Sequence, residues 1–60
     1  MNNNTENIYV KNGYKDRHDY LQSLADDFGI PYEIVQMCAD MLGSSEDFDG
    51  LVISLQDEFD

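Results

Sequence analysis

His18 and Cys38 are the side chains best suited to nucleophilic or acid–base work, and each occurs once in this chain of 60 residues. A reactive cysteine needs a cation or a helix N-terminus to hold its thiolate. A histidine base needs a hydroxyl or thiol within reach of its ring. No Ser or Cys stands at a recognisable catalytic spacing from His18, which adjoins Asp19 near the start of a helical pattern and reads as a surface residue. Cys38 falls among Ile34, Val35, Met41 and Leu42, where a thiol behaves as a small inert apolar group. One Cys and one His are too few for a Cys/His zinc site. Paired carboxylates are the remaining route to acid–base chemistry, and they need a pocket that moves their pKa values apart. Three short helices leave little room for one. The chain reads as no enzyme, with no cofactor.

The carboxylates also raise the question of calcium. Ser45-Glu46-Asp47-Phe48-Asp49-Gly50 resembles the first half of an EF-hand loop, with Gly50 at the sixth position and Val52 at the eighth. The first position is then Ser45 rather than Asp, and the twelfth is Gln56 rather than the bidentate Glu, so the strongest ligands are missing. An acid-rich helix start explains the run equally well. No metal site is expected.

Charge is distributed unevenly. The segment 1–17 holds Lys11, Lys15 and Arg17 against Glu6 and Asp16, whereas from position 18 onward there are eleven acids and no Lys or Arg. The net charge of -10 therefore belongs to the segment that also carries the apolar periodicity. Such a body repels nucleic acid and anionic membranes and attracts basic surfaces. Lys11, Lys15 and Arg17 are expected to offset local acidity and to lay their stems over Tyr9 and Tyr14. With 42 % hydrophobic residues the chain can form a single small core, at some cost in self-repulsion. A lone cysteine and no signal-peptide pattern fit a cytoplasmic protein, in a bacterial host by the resemblance given below. No apolar run reaches the roughly 20 residues that span a bilayer.

The elements follow from spacing. Positions 1–7 are Asn-rich and apolar-poor, which predicts disorder. Ile8-Tyr9-Val10 is β-prone, ends at the turn signal Asn12-Gly13, and is expected to lie extended across the body, so that 1–13 forms a flexible or extended arm. Residues 14–60 then make an all-α, compact three-helix domain. The first helix starts near Asp16, buries Leu21, Leu24, Ala25 and Phe28 on one face, and stops at Gly29. Pro31 opens a second helix whose apolar arc of Ile34, Val35, Met37, Cys38, Ala39, Met41 and Leu42 covers about half its circumference. So wide an arc predicts a central helix packed on both sides. Gly43 ends it. Ser44 or Ser45 caps a third helix carrying Phe48, Leu51, Val52, Leu55 and Phe59.

Three resemblances attach to these elements. Leu24-Ala25-Asp26-Asp27-Phe28-Gly29-Ile30-Pro31-Tyr32-Glu33-Ile34-Val35 has the spacing of a helix-turn-helix. Its second helix would present Tyr32, Glu33, Gln36 and Asp40, of which only Gln36 suits a base edge and none neutralises a phosphate, so direct nucleic-acid binding is not expected. Over about residues 18–57 the chain is similar to ubiquitin-associated (UBA) three-helix domains, with Phe28-Gly29-Ile30 in place of their Met-Gly-aromatic loop. That resemblance implies the fold and offers an alternative function, an interaction adaptor working through the loop. Tyr14-Lys15-Asp16-Arg17 with Tyr20-Leu21, then Leu42-Gly43 and Glu46-Asp47-Phe48-Asp49-Gly50-Leu51-Val52, resembles small proteins of Gram-positive phages and mobile elements. Acidic inhibitors of bacterial defence, anti-CRISPR proteins among them, occur in that setting.

The acids fall on helical faces opposite the apolar stripes: Asp19 and Asp26 on the first helix, Glu33 and Asp40 on the second, and Glu46, Asp49, Asp57 and Asp60 on the third. Any solvated face must be polar, but ordinary ones mix both signs. DNA carries one charge per roughly 1.7 Å of axis, and rows of carboxylates on adjacent helices could imitate that field. Ile53 sits inside the acidic stripe of the third helix. It is either an interface anchor or is covered by Ile8 or Val10. Tyr20 and Tyr32 serve as exposed contacts or as rim residues of the core. The expected function is inhibition of a basic nucleic-acid-binding protein, a CRISPR effector nuclease among the candidates, by DNA mimicry through these acids, Ile53 and the two tyrosines. The sequence leaves oligomeric state open.

Overall fold

The extended backbone of Asp16 (φ -163°, ψ -172°) and its carboxylate, which accepts the Asp19 N–H, set the start of the longest helix. A computed structural model describes residues 7–59. In chain order its elements are α1 (Ile8–Lys11), α2 (Arg17–Phe28), α3 (Tyr32–Leu42), a 3₁₀ turn (Ser44–Glu46) and α4 (Gly50–Phe59). The expected three-helix body is present as α2, α3 and α4, and no strand occurs among the described residues. None of these helices is long and apolar enough to cross a membrane.

Each helix contributes the stripe its spacing dictates. Leu21, Leu24 and Ala25 of α2, Val35 and Ala39 of α3, and Leu51 and Leu55 of α4 are buried together. α3 lies in the middle, packed on α2, on the 3₁₀ turn and on α4. Its apolar arc is wider than these neighbours cover, for Met37, Met41 and Leu42 remain exposed.

Three local expectations are corrected. The run Ile8-Tyr9-Val10 is one helical turn rather than an extended segment, because Asn7 Oδ1 accepts the N–H groups of Tyr9 and Val10 at 2.9 and 3.4 Å. A single turn has little stability of its own. Packing holds it, through a Tyr9 ring set against Tyr20 and Phe48 at 5.8 and 5.6 Å. Disorder was expected over 1–7; Asn7 instead caps α1, and 1–6 lie outside the described residues. The last helix also starts later than the serines suggest. Ser44 and Ser45 form the 3₁₀ turn, and α4 begins at Gly50 because Asp47 and Phe48 are drawn inward by the contacts described below.

The turn after α3 depends on glycine. Gly43 has φ 92° and ψ 153°, a region that residues with a Cβ essentially never occupy. Gly29, which ends α2 in the left-handed helical region at φ 69° and ψ 35°, is the milder case. Neither glycine has an atom within 4 Å of where a Cβ would lie, so substitution is opposed by the backbone alone. Gly43→Ala is expected to cost about 1–3 kcal/mol and Gly29→Ala about 1–2 kcal/mol, both measured by urea unfolding. A D-alanine at position 43, introduced by total synthesis, should recover most of the loss. No recovery would show that the strain lies elsewhere.

Candidate interaction surface and its internal anchor

The only fully buried charged residue among those described is Asp47, 0 % exposed, and it organises the charges around it. A desolvated carboxylate persists only if paired and hydrogen-bonded. Arg17 meets it with a bidentate fork, Nε to Oδ2 at 2.7 Å and Nη2 to Oδ1 at 3.0 Å. The Tyr9 hydroxyl donates to Oδ2 at 2.6 Å. The Tyr20 hydroxyl donates to the backbone carbonyl of the same residue at 2.7 Å. Arg17 also donates to the Ala39 carbonyl near the C-terminus of α3, where a cation is favoured, and pairs with Asp40 at 3.2 Å. One guanidinium thereby ties the start of α2, the end of α3 and the segment before α4.

Aromatic rings close over this pair. Tyr20 stacks on Phe48 with centroids 4.2 Å apart, and Tyr14 meets Tyr20 edge-on at 5.0 Å. Burial, assisted by the Asp47 carboxylate that its hydroxyl serves, pushes the Tyr9 phenol from 10.0 up to about 12. Burial likewise pushes Tyr20 up to about 12, helped by the nearby Tyr14 and Asp47. The hydrogen bond to Asp47 raises the Arg17 guanidinium above its ordinary value and outweighs its desolvation.

The residues expected to meet a partner occupy varied settings. Glu33, Asp49 and Asp57 are exposed, as is Asp26, which accepts a hydrogen bond from Gln22 at 3.3 Å. Asp40 is exposed but bound to Arg17. Asp19 and Glu46 serve their own backbone: Asp19 accepts the Lys15 N–H at 3.0 Å, and Glu46 accepts that of Gly50 at 3.3 Å. Ile53 is 55 % exposed, and Ile8 and Val10 are themselves exposed, so the arm does not bury it. Tyr32 is half-buried with its ring 4.7 Å from His18. Asp60 lies outside the described residues. Tyr20 is a correction: only 3 % exposed and sealed between Phe48, Tyr9 and Tyr14, it offers no surface to a partner. In the alternative loop, Phe28 and Ile30 pack against the core on either side of exposed Gly29.

No family model, curated protein or solved structure matches the chain. The assignment of function therefore rests on the arrangement of its own side chains.

Sequence reasoning missed the roles of Arg17, Asp47 and Tyr9, although a signal was present. Arg17 precedes Leu21 by four residues and Leu24 by seven, which sets it on the apolar face of α2. Asp47, Leu51 and Leu55 repeat at four-residue intervals, the spacing of a single helical face. A lone Arg and a single acid, each in register with a core stripe, point to each other.

Removing one member of a buried pair leaves the other uncompensated, so Asp47→Ala should cost about 3–5 kcal/mol in urea unfolding. Asp57→Ala, on an exposed face, should stay within about 0.5 kcal/mol. Similar losses for the two would refute the anchor role of Asp47. Tyr9 and Tyr20 contribute to the alkaline limb of stability. Because their folded pKa values exceed the unfolded value of 10.0, the native state holds more protons than the unfolded state between pH 10 and about 12. Their contribution is complete below that window and is lost as pH rises through it. Tyr9→Phe should flatten the fall in stability, followed by thermal unfolding alongside phenolate absorbance; an unchanged slope would show that folding does not raise the Tyr9 pKa.

Proposed function

We propose that this protein binds a basic, nucleic-acid-binding protein and excludes its nucleic acid by presenting carboxylates where phosphates would lie. The observation that carries this is the predominantly acidic exterior. The chain's single Arg turns inward to Asp47, and the remainder of the sequence carries twelve acids against two lysines. Asp26, Glu33, Asp40, Asp49 and Asp57 are exposed on three different helices and on the turn that leads into α4. Attraction between such a surface and a phosphate-binding groove accelerates encounter and is weakened by salt. Exposed Ile53, bordered in sequence by Asp49 and Asp57, adds apolar contact that slows release. Among possible targets, a CRISPR effector nuclease is the one that the sequence resemblance to phage and mobile-element proteins brings forward. The action is binding, with no catalytic step.

The test begins with capture from bacterial lysate on the immobilised protein, elution by a salt gradient, and identification by mass spectrometry. The purified partner is then titrated with the protein in the presence of labelled duplex DNA. A basic partner released by moderate salt and displaced from DNA is the expected result. Replacing Asp49 and Asp57 together by Lys should weaken binding by at least about tenfold, roughly 1.4 kcal/mol, with helicity unchanged by circular dichroism. A partner that resists high salt, or binds DNA and this protein together, would exclude mimicry.

A further inference from the structure

The exposed apolar side of α3 and its junction with α4 have no assignment in the function above. An open groove between these helices is lined by Cys38, Met41 and Leu42 on one side and Ser54 on the other. Met41 is 80 % exposed, Met37 55 % and Leu42 41 %. Exposed apolar groups gathered on one side of a helix and beside a groove mark an interaction site more often than scattered ones do. Methionine suits such a surface, because its unbranched, polarisable side chain conforms to different partners.

Acids border this apolar surface on both helices. Glu33 precedes Met37 by four residues and so lies beside it on α3. Asp57 and Glu58 follow Ser54 by three and four residues, sharing its side of α4, and both are exposed. Charge selects among possible occupants. A second copy would bring together two bodies of net charge -10, and an anionic lipid surface would meet the same repulsion. A wholly apolar segment would desolvate the rim acids without compensation.

We propose that the groove between α3 and α4 receives a basic amphipathic helix of the partner, its apolar face on Met37, Met41 and Leu42 and its Lys or Arg residues on Glu33, Asp57 and Glu58. This is the helix-in-groove mode of recognition, read through anchors at i, i+3, i+4 and i+7. It rests on the function above only for the sign of the partner's charge.

The probe is a synthetic helix with Leu at the anchor positions and Lys elsewhere, compared with a scrambled peptide of identical composition. Binding is measured by calorimetry and mapped by amide shifts in heteronuclear NMR spectra. The patterned peptide should bind at least about tenfold more tightly than the scrambled one, with shifts concentrated in the second half of α3 and around Ser54. Met41→Asp should reduce the patterned peptide's affinity at least about tenfold while leaving the spectrum folded, since that side chain is largely in solvent. The substitution adds negative charge, so a loss of affinity for a cationic peptide reports the apolar contact. Equal binding of the two peptides, shifts centred elsewhere, or indifference to Met41→Asp would overturn the groove. A dimer in sedimentation that Met41→Asp dissolves would overturn it in favour of a second copy. The peptide experiment involves no nucleic acid, so failure of DNA competition would leave its result standing, and failure of the groove would leave DNA competition standing.

Discussion

A carboxylate with no access to solvent is the constraint around which this small body is arranged. Asp47 is tolerated inside because Arg17 supplies a bidentate counter-charge and Tyr9 a further donor, while Tyr20 engages its carbonyl. These partners come from α1, the start of α2 and its first turns. The same guanidinium reaches the end of α3. Elements with few apolar contacts of their own, α1 and the 3₁₀ turn, are thereby fixed to the helices that do have a core. The buried polar side-chain atoms among the described residues all have partners, the condition under which a polar cluster specifies one structure rather than weakening it.

The anchor also divides the electrostatics into two regions. Inside, opposite charges meet at hydrogen-bonding distance where water is scarce. Outside, acids face solvent on every helix of the body, and the capping roles of Asp16, Asp19 and Glu46 stabilise helix starts without changing the sign of the exterior. The breadth of the α3 apolar arc has a related origin. α2 and α4 cover Val35 and Ala39 but leave the flank containing Met37 and Met41 open. An apolar surface bordered by acids then lies beside a groove rather than within the core.

Much of this was legible from residue types. The stripe of Leu21, Leu24 and Ala25, the cap at Asp16, and the stops at Gly29 and Gly43 are local signals with local causes, and they are where the spacing puts them. The start of α4, the burial of Tyr20 and the helical turn at Ile8–Lys11 were not, because each depends on contact between residues far apart in sequence. Arg17 reaches Asp47 across 30 positions and Tyr9 reaches it across 38. Residue type misleads most at Asp47, for an aspartate beside Glu46 and Asp49 reads as one more solvated acid. Only its register with Leu51 and Leu55 says otherwise. Among the proposed contact residues, local pattern sufficed for exposed acids such as Glu33 and Asp57. It left Ile53 open, since whether a neighbour covers an apolar side chain is a tertiary question.

The shared hydrogen bonds at Asp47 bear on how this sequence can diverge. A carboxylate that loses its guanidinium is stranded, and a guanidinium that loses its carboxylate gives up a bidentate partner. Either single change is more damaging than both together with apolar replacements of matching volume. Positions 17 and 47 are therefore expected to vary as a pair, with a phenol at position 9 retained only where the acid is. A related chain that keeps the acid at 47 opposite an apolar residue at 17, with no substitute cation nearby, would contradict that expectation.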